Sequence, residues 1–308
     1  MKSLGYHPFS WRVFVIDLHS HILPGIDDGA VDIGVALEMA RMAVANGVEV
    51  QACTPHILPG LYNNTGPQIR LAIAQFQRAL DEHGIALQLT TGADAHLVPD
   101  FLSGLKSGHI LSLGDTRYVL VEPPHHIAPP RIEEFFFGLL VQGYVPVLTH
   151  PERLTWIEAN YPIMEQMCDA GVWMQVTAGS LTGVFGRGPL YWAEKMMKEG
   201  RVHILATDAH GVGRRRPNLR EGRDVAAKWV GEEEANHLVI TRPRGVLSDE
   251  SPSRLPQPGG AQAGVDFSEA RRATHDRRAA SRGRSGAGKS DEGRVSSRLA
   301  DWLRSFYQ

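Results

Sequence analysis

The sequence predicts an α/β protein whose parallel strands close, or nearly close, into a β/α barrel. Short apolar, β-branched runs alternate along the chain with segments that carry apolar residues at helical spacing. Such alternation is typical of parallel strands joined by crossover helices. Seven strand units follow one another within roughly 200 residues, which indicates a barrel more than an open sheet, although the pattern alone does not separate the two.

Seven segments are predicted to be buried strands because each is short, apolar and rich in β-branched residues. In chain order they are residues 13–17, 48–53, 85–90, 118–122, 145–149, 171–177 and 202–207. The segments predicted as helices between them are residues 34–47, 69–84, 132–143, 163–171 and 190–200. Glycine at the end of such a segment is the expected stop signal of a helix.

The composition of the chain changes on both sides of this region. Residues 1–12 are predicted to be an N-terminal extension, and residues 13–245 form the predicted domain. Residues 246–308 are basic and of low complexity, rich in Pro, Gly, Ser and Arg, and we expect this tail to be mostly disordered. Residues 251–308 hold 11 Lys and Arg against 6 Asp and Glu, a charge excess of +5.

The bulk composition argues against several classes of protein. With 308 residues, of which 43% are hydrophobic, the chain can bury a large core. A formal net charge of −2 argues against nucleic-acid binding and a membrane-surface role. Two cysteines give no disulfide framework, and neither a secretory leader nor an apolar stretch of ~18 residues is evident. We therefore expect a cytoplasmic protein without membrane insertion.

Histidines and carboxylates follow six of the seven predicted strands. The candidates are His19, His21, Asp28, His56, Asp94, Glu122, His150, Asp208 and His210. Taken singly, each has an ordinary explanation, since a histidine after a strand is more often structural and an aspartate before glycine suits a turn. The carboxyl ends of the strands, however, are where β/α barrels build their sites. Their shared position favours one site.

The chemistry of these nine side chains indicates which cations they would hold. Imidazole and carboxylate ligands without thiolates suit Zn²⁺, Mn²⁺ or Fe²⁺. Nine candidates exceed the need of one tetrahedral ion, so two or three ions that share carboxylates are expected. Clustered divalent ions activate water and hold a tetrahedral group, which is the chemistry of phosphoester hydrolysis. The residues therefore predict a multinuclear metal site of a phosphoesterase.

Several motifs resemble those of the polymerase and histidinol phosphatase superfamily: DLHSHILPGIDDGA, TPH, HPER, AGSLTG and TDAH, in that order. The closer similarity is to its branch of bacterial manganese-dependent protein tyrosine phosphatases, which are encoded with capsule and exopolysaccharide genes. The resemblance covers roughly residues 14–245. It implies a distorted seven-stranded (β/α)7 barrel and a site of three Mn²⁺ ions, with Fe or Zn as alternatives.

The same resemblance implies an activity and a partner. The activity is hydrolysis of phosphotyrosine by a metal-activated water. The partner is a phosphotyrosine protein, in particular the tail of a bacterial tyrosine kinase in capsule or exopolysaccharide regulation. An oligomeric assembly is compatible with the resemblance, which does not fix the oligomeric state.

Carried over to this chain, the resemblance implies three groups of metal ligands and two phosphate-binding arginines. The groups are His19, His21 and Asp208 for one ion; Glu122 and His150 for a second, with Asp94 bridging these two; and Asp28, His56 and His210 for the third. The arginines are Arg153 of HPER and Arg216 before Pro217. Arg214 and Arg215 compete with Arg216 for the second role. The bridging position is normally Glu, so the shorter Asp94 puts metal occupancy at that pair in doubt.

Two other functions stay open at this point. One is another phosphoesterase of the superfamily, such as a histidinol-phosphate phosphatase or a nuclease. The other is a non-catalytic metal-binding scaffold that uses its tail as a binding module. Thiol catalysis is not expected, because the arginine required six residues after the cysteine is absent after both Cys53 and Cys168.

Two further segments need an interpretation. Residues 283–290, GRSGAGKS, fit the P-loop pattern but lack the strand before it and the helix after it, so we reject nucleotide binding. Residues 178–188, AGSLTGVFGRG, either lie at the mouth of the site or only form a turn. His125 and His126 are predicted to be exposed loop residues, with a role near the substrate as the alternative, and His96 is given no function.

Overall fold

The computed structural model describes residues 15–261, and all statements about the fold refer to this part of the chain. Its strands are β1 (Val15–Asp17), β2 (Val48–Cys53), β3 (His56–Ile57), β4 (Gln88–Thr91), β5 (Asp94–His96), β6 (Tyr118–Glu122), β7 (Val145–Thr149), β8 (Trp173–Thr177) and β9 (Ile204–Ala206). They form two parallel sheets, one with the order β1-β2-β4 and one with the order β3-β5-β6-β7-β8-β9.

Helices follow most strands, as expected for parallel pairing. They are α1 (Ile33–Ala45), α2 (Gly66–Glu82), α3 (Phe101–Ser107), α4 (Ile132–Val141), α5 (Ile157–Asp169), α6 (Ala178–Leu181), α7 (Arg187–Lys198), α8 (Leu219–Val230), α9 (Glu232–Asn236) and α10 (Arg242–Leu247). A π-helical turn, His237–Thr241, joins α9 to α10. None of the helices in the described region is long and apolar enough to cross a bilayer.

All seven predicted strands are present, and they are divided between two sheets. The second predicted strand is β2, and after a break the chain continues as β3. The third is β4, which continues in the same way as β5. In both cases the continuation belongs to the other sheet. Pro55, at the first break, has no N–H to donate to a ladder. At the second break, a Cβ on Gly92 would lie 2.8 Å from Cγ2 of Thr54. These residues explain why the curled parallel sheet is interrupted here, and the closed seven-stranded barrel is not confirmed.

The two sheets also meet on their other side. Ser20 and Ala209 form an isolated parallel bridge beyond the ends of β1 and β9. The backbone N–H of His21 donates to the carbonyl oxygen of Ala209 at 2.9 Å, and that of Asp208 donates to His19 at 2.8 Å. The chain segments that follow β1 and β9 are therefore held together at the position where the predicted ligands lie.

The core inside the curled sheet changes from apolar to polar along the strands. Tyr118 and Leu120 of β6 are buried in the main hydrophobic cluster. Residues two apart in a strand share a face, so Glu122 follows them at the carboxyl end of the same strand. The alternation that places apolar side chains in the core thus also directs a buried carboxylate towards the site.

The opposite end of the core is covered by the chain after β9. Val246 of α10 belongs to the main hydrophobic cluster, and the Tyr118 hydroxyl donates to the carbonyl oxygen of Glu250 at 2.7 Å. The buried guanidinium of Arg242 donates to the carbonyl oxygens of Pro256 and Gln257 at 2.8 and 3.1 Å. Residues 246–260 therefore pack against the domain, although they belong to the tail that the composition predicts to be disordered.

The compact unit ends at Gly260. The predicted N-terminal extension, residues 1–12, and the remainder of the predicted disordered tail, residues 262–308, lie outside the described residues. The P-loop-like segment 283–290 lies there as well. These three predictions stay predictions.

Candidate metal centre

The structure brings the nine predicted ligand residues together beyond the carboxyl ends of β1, β2, β4, β7 and β9 and at the last residue of β6. Three of them lie on strands, His56 on β3, Asp94 on β5 and Glu122 on β6. The others lie on the segments that directly follow β1, β7 and β9, and they are His19, His21, Asp28, His150, Asp208 and His210. All are buried except the half-exposed Asp28 and the partly buried His210.

The first group of side chains surrounds Nε2 of His19. This nitrogen lies 3.4 Å from Asp94 Oδ2, 3.4 Å from Asp208 Oδ1 and 3.2 Å from Nε2 of His21. Nε2 of His21 lies 3.4 Å from the same oxygen of Asp208. Two imidazoles and two carboxylates therefore point at one small volume.

A second group surrounds the carboxylate of Glu122. Nε2 of His150 lies 3.5 Å from Oε1 of Glu122 and 4.0 Å from Oδ2 of Asp94. Nδ1 of His56 lies 3.2 Å from Oε2 of Glu122 and 3.6 Å from the same oxygen of Asp94. Asp94 thus lies between the first and second groups, as its predicted bridging role requires.

A third group surrounds Asp28. Its Oδ1 lies 3.5 Å from Nε2 of His56 and 3.4 Å from Nε2 of His210. The ring of His21 lies within 4.4 Å of His56 and 3.9 Å of His210, centroid to centroid. One ligand atom from each of these four residues lies within 4.8 Å of the others.

The hydrogen bonding of Asp94 supports a bound cation. Both of its carboxylate oxygens are buried, and neither accepts a hydrogen bond from any described residue. A buried carboxylate without a partner is costly, because burial removes the water that would solvate its charge. A divalent cation among Asp94 and the neighbouring imidazoles would provide that partner, so the residues present fit a metal.

The charges of the cluster are strongly coupled. Burial lowers the pKa of His19, but the negative charges of Asp94 and Asp208 outweigh this effect and raise the pKa to about 9. Burial likewise lowers the pKa of His56, and Glu122 and Asp94 raise it to about 10. A cation at the cluster would compete with these protons, because metal ligands bind in their deprotonated form.

Two of the predicted ligands have strained backbones. His150 has φ 35° and Asp208 has φ 50°, in the left-handed region that non-glycine residues rarely adopt. At His150 this conformation reverses the chain at the end of β7 into the short 3₁₀ turn Pro151–Arg153. Such strain is found at functional sites, where the surrounding structure maintains it.

Several residues near the cluster were not assigned to it in the sequence analysis. Nε2 of His96 lies 2.5 Å from Oε2 of Glu122, and Nε2 of His125 lies 3.5 Å from Oε1 of the same residue. Nδ1 of His19 lies 2.7 Å from Oε1 of Gln175. His96 follows Asp94 by two positions in β5, so strand alternation alone could have placed both on one face.

Two arginines lie at the edge of the cluster, and one of them differs from the prediction. Arg153 and Arg215 both donate to Oδ2 of Asp208, the latter at 2.7 Å. Arg216 is not brought to the cluster, since its side chain is 55% exposed and its nearest ionic partner is Glu221 at 3.8 Å. Arg214 donates to the carbonyl oxygen of Val184 at 3.1 Å. Arg215 and not Arg216 is therefore the second arginine beside the cluster.

The fold and this cluster define a class of protein. It is an α/β protein with parallel, curled sheets that carries a histidine- and carboxylate-rich centre at the carboxyl ends of its strands. The centre is able to hold divalent metal ions, and two arginines lie beside it.

Comparison with known proteins shows the family. Residues 15–248 match the family model described as "Capsular polysaccharide synthesis, CpsB/CapC", and the chain belongs to this family. The chain is 35% identical to tyrosine-protein phosphatase YwqE of Bacillus subtilis (strain 168) over 219 residues, 71% of this chain and 86% of YwqE. It is 27% identical to tyrosine-protein phosphatase CpsB of Streptococcus pneumoniae over 246 residues, 77% of this chain and 99% of CpsB.

A solved structure of this family is similar to the fold of this chain. It comes from work on YwqE of Bacillus subtilis and CpsB of Streptococcus pneumoniae, which are described as unique metal-dependent tyrosine phosphatases. The superposition covers 80% of this chain and 99% of the solved chain, with a TM-score of 0.75 and 32% sequence identity.

Proposed function

We propose that this protein is a metal-dependent protein tyrosine phosphatase. The observation that carries the proposal is the convergence of nine histidine and carboxylate side chains beside two arginines. The tyrosine phosphatase relatives support the choice of reaction, and the metal dependence stated for YwqE and CpsB supports the choice of cofactor.

The ligand residues are grouped as three cation positions, which we assign to Mn²⁺. The first would be held by His19, His21 and Asp208; the second by Glu122 and His150, with Asp94 shared between them; the third by Asp28, His56 and His210. Bound divalent ions would activate a water and offset the negative charge of the phosphate. We treat the two sheets as one distorted barrel, which explains why residues from both meet here.

The arginines of this chain would bind and orient the phosphate. Arg153 is 13% exposed and Arg215 28% exposed, so both reach the site from its rim. A guanidinium offers a planar pair of donors that matches two phosphate oxygens. Both guanidiniums already donate to Oδ2 of Asp208, so both are oriented towards the same anionic oxygen at the edge of the cluster.

The leaving group of phosphotyrosine suits such a site. A phenol has a pKa of about 10, so the departing phenolate needs less protonation than the alkoxide of a serine. Neither thiol is suited to act as a nucleophile: Cys53 is completely buried, and burial raises the pKa values of Cys53 and Cys168. Hydrolysis without a covalent phospho-enzyme is therefore the mechanism we propose.

We propose a phosphorylated protein as substrate, namely the tyrosine-rich tail of a bacterial tyrosine kinase that controls capsule or exopolysaccharide synthesis. The capsular polysaccharide family and the tyrosine phosphatase relatives support this choice.

A substrate panel tests the proposal against other phosphoesterases. Purified protein would be supplied with Mn²⁺ and with a phosphotyrosine peptide, histidinol phosphate or a nucleic-acid phosphodiester, and phosphate or product release would be followed. We expect hydrolysis of the peptide in preference to the other two. Faster hydrolysis of histidinol phosphate or cleavage of the diester would contradict the tyrosine phosphatase assignment. Metal binding without hydrolysis of any of them would support the scaffold function instead.

A further inference from the structure

Phe185 lies beside the two arginines at the rim of the candidate site. It belongs to the segment 178–188, whose role the sequence left open. We propose that Phe185 is a positioning residue that holds Arg153 and Arg215 in the orientation in which they bind phosphate. The inference rests on the proposed function, because it concerns the same site.

The contacts of the aromatic ring carry the inference. The guanidinium carbon of Arg153 lies 4.4 Å from the centroid of the Phe185 ring, and that of Arg215 lies 6.0 Å from it. Both distances are within the range in which the negative face of an aromatic ring attracts a cation. One ring therefore contacts two guanidiniums that also share the Oδ2 atom of Asp208.

The segment that carries Phe185 is fixed to the structure on both sides. The buried carboxylate of Glu152 accepts hydrogen bonds from the Ser180 hydroxyl at 2.7 Å and the Thr177 N–H at 3.0 Å. The N–H of Val184 donates to Gly179 at 2.9 Å, and Arg214 donates to the carbonyl oxygen of Val184 at 3.1 Å. The ring of Phe185 is thus attached to a restrained backbone.

The glycine at position 179 favours this arrangement. A Cβ added to Gly179 would lie 3.0 Å from Cε2 of Phe185, closer than side chains normally approach. Because residue 179 is glycine, the ring of Phe185 packs against the backbone of α6, and the rest of the ring surface is open to the arginines. The glycine-rich segment therefore does more than form a turn.

Restraint of the arginines matters because their side chains are long. An unrestrained arginine loses side-chain rotamer entropy when it is fixed on a ligand. A guanidinium that is already fixed on an aromatic face loses less, so phosphate binds more tightly. Replacing Phe185 by leucine keeps an apolar side chain but removes the aromatic face, whereas replacing it by tyrosine keeps that face.

The test compares Phe185→Leu with Phe185→Tyr, and Phe137→Leu serves as a matched control because Phe137 is exposed on α4. Binding of inorganic phosphate to the Mn²⁺-loaded full chain would be measured by calorimetry. We expect Phe185→Leu to weaken phosphate binding roughly tenfold. Phe185→Tyr should restore most of the affinity, and Phe137→Leu should leave it unchanged.

A double-mutant cycle separates positioning from a general structural effect. In an Arg153→Ala/Arg215→Ala background, Phe185→Leu should change phosphate affinity less than about twofold, because no guanidinium is left to position. An equal loss in both backgrounds would overturn the inference.

The choice of inorganic phosphate distinguishes positioning from substrate contact. Because this ligand has no ring, a loss restricted to hydrolysis of a phosphotyrosine peptide would show that Phe185 contacts the substrate, and would overturn the inference. Absence of phosphate binding by the wild-type protein would contradict both the proposed function and this inference. A Phe185→Leu variant that binds phosphate as tightly as the wild type would contradict only the inference about Phe185.

Discussion

Oδ2 of Asp27 lies 2.7 Å from Nδ1 of His21, on the side of the ring opposite to the nitrogen that faces Asp208 at 3.4 Å. Asp27 also accepts hydrogen bonds from the N–H groups of Gly29 and His56 at 2.9 and 3.1 Å. Its carboxylate therefore fixes both the orientation and the tautomer of His21 and leaves Nε2 free to bind a cation. Gln175 has the corresponding position beside His19.

The first prediction concerns this supporting carboxylate. Asp27→Asn removes its charge, and we expect the affinity for Mn²⁺ to fall by about 10- to 100-fold, because residues that orient metal ligands have effects of this size. Calorimetric titration with Mn²⁺ measures it. Asp32→Asn is the control, since Asp32 accepts from Val35 at the start of α1. Equal affinities in both variants would contradict the assigned role of Asp27.

The second prediction concerns the buried carboxylate of Asp94. Asp94→Asn removes the charge of a side chain that lies 3.4 and 3.6 Å from the imidazoles of His19 and His56. When Mn²⁺ is added to the metal-free protein, the wild type should gain more stability than the variant, because the stabilisation by a ligand increases with its affinity for the folded state. Thermal melts with EDTA and with Mn²⁺ give both values. A larger Mn²⁺-dependent gain in the variant would exclude Asp94 as a ligand.

The third prediction separates two histidines on neighbouring segments. His96 contacts Glu122 at 2.5 Å, whereas His109 is exposed. His96→Asn should lower Mn²⁺ affinity about tenfold, because Glu122 loses a neighbour that orients it. His109→Asn should have no measurable effect. Metal content per chain after dialysis against limiting chelator reports the difference, and indistinguishable contents would assign His96 a purely structural role.

The fourth prediction decides between the two adjacent arginines. Arg215→Ala should reduce kcat/KM for a phosphotyrosine peptide by about 10- to 100-fold, the cost of losing a charge-assisted hydrogen bond to phosphate. Arg216→Ala should change it less than about threefold, because exposed ion pairs contribute little. Steady-state kinetics of both variants test this, and the reverse order would restore Arg216 to the role that the sequence suggested.

The fifth prediction concerns stability at low pH. Burial, assisted by the charge of Arg242, lowers the pKa of His203 from 6.5 to about 3. Because the unfolded state then binds the proton more tightly, the protein loses stability as pH falls from 6.5 towards 3. His203 accepts a hydrogen bond from the Met174 N–H at 3.1 Å, which the oxygen of an asparagine can also accept.

His203→Asn removes this titration while it keeps the acceptor. The variant should be less stable than the wild type at pH 7, because it loses the stacking of the ring on Trp173. The gap in the free energy of unfolding should narrow as pH falls from 6.5 to 4. Urea unfolding in EDTA at several pH values measures the gap, and a constant gap would show that His203 does not titrate as stated.

The strand ends and the candidate ligand positions could be predicted from the sequence because histidines and carboxylates directly follow short apolar runs. The continuous apolar run of β6 predicts a strand that is buried on both faces, and Glu122 at its end therefore lies among buried side chains. Strand alternation applied to β5 would have placed His96 on the same face as Asp94. Strands as short as His56–Ile57 carry no such pattern, so β3 was missed.

Other features depend on contacts between distant residues and could not be predicted. Whether Arg215 or Arg216 faces the site depends on the backbone conformation of one loop. Three arginines follow one another there, so the sequence does not show which of them points to the cluster. Residues 246–260 have a disorder-like composition, but the buried Arg242 and the hydroxyl of Tyr118 bind their backbone. The interruption of the sheet similarly depends on the approach of Thr54 to Gly92.

The most direct test of the central claim is the rate of phosphotyrosine hydrolysis by metal-stripped protein as Mn²⁺ is returned, beside a His19→Ala/His21→Ala variant. We predict no activity without metal, recovery in the wild type as Mn²⁺ is added, and no recovery in the variant, because the two histidines are the proposed ligands of the first cation position. Activity in the metal-stripped protein, or equal recovery in the variant, would contradict a metal-dependent phosphatase site at these strand ends.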